Sequence, residues 1–185
     1  TPMSHAHIRV VSGNFITARP VGVIDGIDYR HTGLVRKVDA EALQFVINHG
    51  SIALLSPLGF SPTGEAFNLA MEELATSVAV ALRAEKLIFL TDAPSIMDPE
   101  GNVDTELARD DADALVATGD IDPGTTVVLR HASRAVKLGV ARAHLIPFDM
   151  DGGVLLEIFT HDGVGTMVVE DLLGDLRPPT IDDVG

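Results

Sequence analysis

The chain has 185 residues, enough for one domain or a large part of one, and its hydrophobic content of 46% includes only 4% aromatic residues. A core must therefore consist mainly of Val, Leu, Ile and Ala, which favours helices packed on a sheet over an aromatic-rich sandwich. The formal net charge of −14 repels phosphate backbones and anionic lipid, so we expect neither nucleic acid nor a membrane as a partner. The lack of cysteine excludes disulfides, thiolate zinc sites and a cysteine nucleophile.

Targeting signals are also missing from the sequence. No apolar run reaches the ~18 to 20 residues that a membrane-spanning helix needs. The first residues lack the basic and apolar regions of a secretory signal peptide. From these features we expect a cytoplasmic protein.

The first third of the chain predicts a small antiparallel ribbon followed by a helix and a strand. Residues 15–25 and 27–38 alternate between apolar and polar side chains, and Asp25-Gly26 between them is a hairpin turn signal because both residues tolerate positive φ. Asp39 is a suitable N-cap for the helix that follows. Before Gly50 we predict a strand at 8–11, the ribbon at 15–38 and a helix at 39–50.

The rest of the chain alternates between apolar runs and helical periodicity. The run 51–56 has the continuous apolar character of a strand that is buried on both faces. A Gly- and Pro-rich stretch at 57–65 predicts a loop. The remaining predicted strands are 86–91, 143–147 and 166–169, and the predicted helices are 69–85, 104–118, 125–138 and 154–160.

Strands that alternate with helices predict an α/β protein of three layers. We expect a mainly parallel sheet with helices on both faces, plus the antiparallel ribbon near the N-terminus. In such sheets, ligands bind beyond the carboxyl ends of the strands, so the loops after residues 56, 91 and 147 are the places to search for chemistry.

Several stretches, in this order, resemble the amino-acid-kinase-like domain of bacterial N-acetylglutamate synthases. The resemblance implies an arginine-sensing regulatory domain that forms homo-oligomers, hexamers in the family. The parent enzyme transfers acetyl from acetyl-coenzyme A to L-glutamate in the first step of arginine biosynthesis. The matching stretches are His7–Phe15, Gly64–Leu69 with Glu72–Ala75, Gly124–Val127, Leu155–Thr166 and Pro179–Gly185.

The same resemblance implies a division of the chain. Residues 1–174 correspond to a partial kinase-like domain without its amino-terminal strands, and residues 175–185 to a linker and the start of an acetyltransferase domain. Acetyl transfer belongs to that further domain, so we expect no catalytic residue and no cofactor in these 185 residues. Acetyl-coenzyme A enters only as a substrate of the parent enzyme.

The hypothesis that this chain catalyses phosphoryl transfer, the reaction of related kinases, can be compared with the residues present. It requires cations around the transferring group and a carboxylate to organise them. The resemblance places Val128 or Leu129 where those kinases carry a lysine, and neither side chain can hold a phosphate. Asn68 matches the kinase pattern and Glu72 stands where an aspartate is expected, so we interpret these two residues as a vestigial kinase site.

The arginine site implied by the resemblance consists of Glu157, His144, Gly163 and Gly165. A carboxylate is the natural partner of a guanidinium group, and Glu157 lies within an apolar segment where an unpaired charge is costly. Two simpler interpretations stay open: Glu157 on the solvent face of a helix, and His144 as a hydrogen-bonded core residue. For Gly163 and Gly165 the simpler interpretation is an ordinary loop.

Other polar features are weaker. His5 and His7 alternate, but a lone pair of histidines is usually a surface feature, and we predict no metal site. The acidic stretch 109–113 is most simply a solvated helix face. Two further hypotheses for function stay open: an active acetylglutamate kinase, and a structural module whose surfaces hold an oligomer together.

Overall fold

The computed structural model describes residues 8–92, 96–97, 100–159 and 165–171. The predicted linker at 175–185 lies outside these residues. The chain divides into two compact units, residues 1–84 and 85–185, which we describe separately. Within the described ranges, no helix has the length and apolar character needed to cross a membrane.

The described residues of the first unit, 8–84, form three small sheets and two helices. Its four-stranded sheet has the order β5-β2-β7-β8, a separate parallel pair joins β1 to β6, and β3 with β4 forms an antiparallel hairpin. In chain order, the elements are β1 (Arg9–Ser12), β2 (Ile16–Pro20), β3 (Val23–Ile24), β4 (Ile27–Asp28), β5 (Gly33–Val38), α1 (Ala40–Asn48), β6 (Ser51–Leu54), β7 (Leu58–Phe60), β8 (Ala66–Asn68) and α2 (Met71–Leu82).

Local sequence signals fix several boundaries in this unit. The hairpin turn is confirmed, because Asp25 and Gly26 both adopt positive φ between β3 and β4. The N-cap is confirmed as well: the Asp39 side chain accepts a hydrogen bond from the backbone N–H of Ala42 at 3.1 Å. Helix α2 ends where Arg83 adopts the left-handed conformation.

A compact apolar cluster joins the four-stranded sheet to α2. Its buried members are Ile16, Ala18, Phe67, Leu69 and Leu74. Different strands of this sheet approach each other so closely here that two positions require glycine. A Cβ on Gly33 would lie 2.5 Å from Cβ of Phe67, and a Cβ on Gly59 would lie 2.8 Å from Cβ of Ala18.

The second unit has one four-stranded sheet with the order β10-β12-β11-β9. Strand β12 pairs in parallel with β10 and antiparallel with β11, and β11 pairs in parallel with β9, so two of the three pairings are parallel. The elements are β9 (Lys86–Thr91), β10 (Glu106–Ala108), α3 (Arg109–Thr118), α4 (Pro123–Lys137), β11 (Arg142–Pro147), α5 (Gly153–Phe159) and β12 (Thr166–Val169).

Helix α4 supplies most of the apolar cover for this sheet. Asp122 caps it by accepting hydrogen bonds from the N–H groups of Gly124 and Thr125, and Pro123 occupies the first turn, where a missing N–H costs nothing. The helix packs against β9, β11 and β12. Its inward side is buried: Thr125, Val128, Leu129, Ala132, Ser133, Ala135 and Val136.

Three sequence predictions are wrong in part. Residues 106–108 form strand β10 and not the start of a helix, because Leu107 is buried and the segment pairs with β12. The predicted loop 57–65 contains strand β7, whose Gly59 is small enough to pass over Ala18. Strand β6, within the predicted run 51–56, is not buried on both faces, since Ile52 and Leu54 are more than half exposed.

The close approach of Gly59 to Ala18 predicts a specific coupling. Gly59→Ala should lower the free energy of unfolding by roughly 1–3 kcal/mol, since the added methyl group would lie 2.8 Å from Cβ of Ala18 and 3.1 Å from Cδ1 of Leu69. Ala18→Gly alone should also destabilise. The double variant should be more stable than the sum of the two single effects, because the clash needs both Cβ atoms. Urea denaturation of the four proteins measures this coupling, and strict additivity would contradict it.

Candidate functional site

Strand β11 and helix α5 together bury an acidic and an imidazole side chain. Side chains alternate along a strand, so His144 and Ile146 point to one face of the sheet and Ala143 and Leu145 to the other. Helix α5 packs on the His144 face: Gly153 lies against Ile146, where an added Cβ would be 3.3 Å from Cγ2. One turn further along the helix, Glu157 reaches His144.

The two side chains make a short, buried hydrogen bond. Nδ1 of His144 and Oε1 of Glu157 are 2.5 Å apart, and the side chains are only 3% and 5% exposed. Glu157 therefore does not lie on the solvent face of its helix. The inward position of a carboxylate among Leu155, Leu156, Ile158 and Phe159 reverses the usual amphipathic pattern, because these four apolar side chains are exposed.

The protonation state of His144 follows from its burial. Desolvation lowers the pKa of His144, and the hydrogen bond and charge of Glu157 only partly oppose this shift. The positive charges of Lys86 and Arg142 lower the pKa further. We therefore take the ring as neutral, with Nδ1–H donating to the carboxylate.

A neutral histidine contributes a hydrogen bond to Glu157 but no charge. A neutral ring does not balance the charge of an ionised carboxylate, and the Glu157 side chain lies almost closed to water. Such a charge is stable only with further donors or a cation nearby. Glu157 takes part in more interactions than this hydrogen bond, and a cationic ligand group would add to them.

The other ring nitrogen of His144 is an acceptor whose donor is not among the described residues. Nε2 is fully buried and has no hydrogen-bond partner among the residues that the structure describes. In the neutral tautomer with Nδ1–H, Nε2 carries a lone pair. Buried polar atoms are normally satisfied, so Nε2, which has no donor among the described residues, is a candidate acceptor for a ligand N–H group.

Gly165 lies beside the same strand and has a packing role there. A Cβ at this position would come within 1.9 Å of the carbonyl oxygen of Leu145, which is a contact with backbone that cannot move aside. Glycine is therefore required for the antiparallel pairing in which Leu145 is opposite Thr166. The structure thus brings His144, Glu157 and the backbone at Gly165 to adjoining parts of β11, α5 and β12. The fourth predicted residue, Gly163, lies outside the described residues.

The two residues that we predict to be a vestigial kinase site are in the first unit. Asn68 ends strand β8 with its backbone N–H bonded to the carbonyl of His31 at 2.7 Å, and Glu72 is half-buried in the first turn of α2. In the second unit Val128 and Leu129 are buried, whereas Arg130 is exposed on another face of α4. Helix α4 therefore presents aliphatic side chains at the positions where a phosphate-binding lysine would be needed.

Sequence reasoning named His144 and Glu157 separately but did not predict that they contact each other. They are 13 residues apart and belong to different elements. The signal that pointed to them was the same for both: a polar side chain in the middle of an apolar segment. As for metals, the described part of the chain contains no group of three or more histidine or acidic side chains suited to hold an ion.

The lowered pKa of His144 predicts how stability depends on pH. The unfolded chain protonates this ring near its ordinary pKa of 6.5, whereas the folded chain does so only at lower pH. Between those two values the unfolded state binds more protons, so stability decreases as pH decreases. His144→Asn keeps an N–H donor for Glu157 and removes the titration. It should make the free energy of unfolding less dependent on pH just below 6.5.

Urea denaturation of both proteins at a series of pH values tests this expectation. His49→Asn, which removes an exposed histidine, controls for the loss of an imidazole as such. Equal pH dependence in wild type and His144→Asn would show that the buried ring does not titrate as described.

The chain matches curated amino-acid acetyltransferases over its whole length. It is 56% identical over 185 residues to an amino-acid acetyltransferase of Ralstonia nicotianae and 46% identical over 189 residues to one of Pectobacterium carotovorum. These matches include 100% of this chain but 41% and 43% of the relatives. The chain thus spans about two fifths of the length of the curated relatives that it matches.

Solved structures agree with the fold. The N-acetylglutamate synthase from Neisseria gonorrhoeae complexed with coenzyme A and L-arginine is 39% identical and superimposes with a TM-score of 0.84 over 91% of this chain and 40% of that chain. The same synthase is also known complexed with coenzyme A and N-acetyl-glutamate, at 40% identity and a TM-score of 0.83 over 90% of this chain and 39% of that chain. Giardia carbamate kinase, 13% identical with a TM-score of 0.65 over 88% of this chain and 63% of that chain, shares the fold alone.

These findings confirm the resemblance to N-acetylglutamate synthases and the α/β fold class. The model of the amino acid kinase family matches residues 2–147, which is most of the sequence and includes every element from β1 to β11. The chain therefore belongs to the amino acid kinase family.

Proposed function

We propose that this chain is the arginine-sensing regulatory module of an N-acetylglutamate synthase. The longer protein would transfer acetyl from acetyl-coenzyme A to L-glutamate in another domain, and L-arginine would bind here as an allosteric effector. The observation that carries the proposal is the buried pair of Glu157 and neutral His144, which joins a carboxylate to an acceptor without a donor in the described part of the chain. The solved synthase that is 39% identical to this chain was obtained with L-arginine.

The guanidinium group of arginine suits this pair in charge and in hydrogen bonding. A carboxylate has about four lone-pair positions, so Glu157 can bond to His144 and still accept N–H groups from a ligand. The hydrogen bond from His144 fixes the orientation of the carboxylate before a ligand arrives, which reduces the entropy lost on binding. Guanidinium is also less strongly hydrated than ammonium, so moving it into a nearly dry position costs less.

Nε2 of His144 supports the same assignment. Its lone pair can accept a hydrogen bond from an N–H group of the effector only while the ring is neutral, and burial keeps it neutral. The backbone near Gly165, and Gly163 in the same segment, would meet the amino and carboxylate groups of the ligand. In this proposal Glu157 provides the charge, and His144 orients it and adds one acceptor.

Regulation requires more than binding. Arginine changes acetyl transfer at a distant site only if it binds one conformational state better than another. Helix α5 is a suitable element for such coupling because it is short and carries Glu157 on the side that faces β11. In this proposal the protein forms a homo-oligomer, a hexamer as in the family. Arginine would then favour one conformational state of that oligomer over another.

The alternative of an active acetylglutamate kinase finds no support in the site. Kinase catalysis is mainly electrostatic stabilisation of the transferring phosphoryl group. Val128 and Leu129 are aliphatic and buried, and Arg130 is exposed on another face of α4. A purely structural role of this chain would not explain why the carboxylate of Glu157 is buried. An oligomeric parent protein is compatible with either role.

The proposal predicts that Glu157→Gln weakens arginine binding in the longer protein that contains this chain. Glutamine keeps the shape and can still accept a hydrogen bond from His144, but it removes the charge. Loss of a charge-assisted bond costs ~1.5–3 kcal/mol, so the Kd for L-arginine should rise about tenfold or more. Isothermal titration calorimetry measures the Kd, and acetyl transfer without arginine should stay nearly unchanged.

Glu106→Gln is the matched control, because it removes an equal charge from an exposed position on β10. It should leave arginine binding unchanged. If Glu157→Gln retained the wild-type Kd, the assignment of Glu157 would be wrong. If it lowered acetyl transfer and thermal stability without arginine, its role would be structural.

A further inference from the structure

Helix α3 begins with an arginine that is unfavourable for the helix itself. Arg109 is its first residue, and the positive end of the helix dipole disfavours a cation at this position. The N-cap residue, Ala108, makes no side-chain hydrogen bond to the first turn. Yet the Arg109 side chain is only 20% exposed. Its position is therefore explained by contacts with other parts of the fold and not by the stability of the helix.

Arg109 joins the start of α3 to the end of strand β12. Its Nε donates a hydrogen bond at 3.0 Å to Oε1 of Glu170, the residue that follows β12. Two carboxylates of its own helix also contact the guanidinium group, that of Asp110 at 2.9 Å and that of Asp113 at 3.4 Å. Asp113 in turn accepts a hydrogen bond from the hydroxyl of Ser133 on α4. We call the contact between Arg109 and Glu170 the latch.

Opening of the latch would leave both of its partners in a favourable environment. Asp110 and Asp113 would still neutralise the guanidinium group, because they belong to the same helix as Arg109. The Glu170 side chain is 56% exposed, so water can take the place of its partner. Ion pairs at such exposed positions contribute little to stability. A closed and an open latch are thus close in free energy, as the two states of a regulated element need to be.

The latch and the proposed arginine site lie at opposite ends of β12. Gly165 comes directly before this strand, and Glu170 lies about 16 Å further on, at ~3.3 Å for each residue. The start of the strand is held by Thr166, whose hydroxyl donates a hydrogen bond at 2.7 Å to the carbonyl oxygen of Asp104. The latch holds the other end. Because β12 has only four residues, contacts at both ends help to keep it in register with β11.

We propose that the latch sets the affinity of the effector site. It holds β12 in the register that brings the backbone at Gly165 next to β11, and L-arginine binds this latched state more tightly than the open one. Arg109 and Glu170 are then positioning residues that do not touch the ligand. This role rests on the proposed function. By linkage, the ligand stabilises the closed latch by the same factor by which the closed latch strengthens binding.

Calorimetric titration of the longer protein with L-arginine tests this role. Glu170→Ala should raise the Kd by about three- to fivefold, because it reduces the fraction of protein in the latched state. Asp171→Ala is the matched control, since it removes an equal charge from the next residue, which is also exposed. It should leave the Kd unchanged, although both carboxylates attract a cationic ligand at long range.

Changes at Arg109 separate positioning from a general effect on stability. Arg109→Met keeps the apolar stem and should raise the Kd by a similar factor. Together with Glu170→Ala it should cause no further increase, because both changes open the same contact. Arg109→Lys keeps a cation opposite Glu170 and should retain most of the affinity. Acetyl transfer without arginine should stay close to the wild-type rate in each of these variants.

The possible results distinguish the latch from the proposed function. If Glu170→Ala kept the wild-type Kd while Glu157→Gln raised it, the latch would be refuted and the arginine site would stand. Equal increases for Glu170→Ala and Asp171→Ala would also refute the latch, since long-range attraction would be the cause. Strictly additive effects of Arg109→Met and Glu170→Ala would do the same. If the wild-type protein did not bind arginine, the proposed function would fail, and the latch with it.

Discussion

Parallel strands need apolar cover on both faces, and this requirement explains how most of the structure is built. In the second unit, α4 lies along β9, β11 and β12 and buries Val128, Leu129, Ala132 and Val136, while α5 covers the side of β11 that carries His144. Both faces of β11 are thus covered, and four of its six residues are buried. In the first unit, α1 covers only one face of β6. The same constraint therefore accounts for the complete sheet and for the incomplete one.

Helix α5, which covers the His144 side of β11, differs from a normal amphipathic helix. Helix α5 buries Glu157 and exposes Leu155, Leu156, Ile158 and Phe159, which is unfavourable for both kinds of side chain. A protein that uses a buried carboxylate merely as filling would be more stable with an apolar residue of similar volume. In the proposed arginine module, the carboxylate of Glu157 and the neutral histidine that orients it form part of the binding site.

In the proposed module, the fold of the amino acid kinase family serves another purpose. The positions that would hold phosphate are aliphatic on α4, and helix α4 uses them for packing on the sheet. What the framework retains is a capped helix on a sheet, and a short helix that places one carboxylate beside one imidazole. In the proposed module this arrangement supports a regulatory site, where a ligand must distinguish between conformational states.

The sequence by itself determined the local features of this protein. Asp25-Gly26 and Asp39 act through their own backbone and nearest neighbours, so the turn and the cap were predictable, as were the helices with clear periodicity. The polar residues Glu157 and His144 were recognisable in apolar segments. Only the tertiary structure decided that they contact each other, that residues 106–108 form a strand, and that one face of β6 is bare. The reason is that pairing and cover depend on residues distant in sequence, and a local pattern carries no information about which distant residues meet.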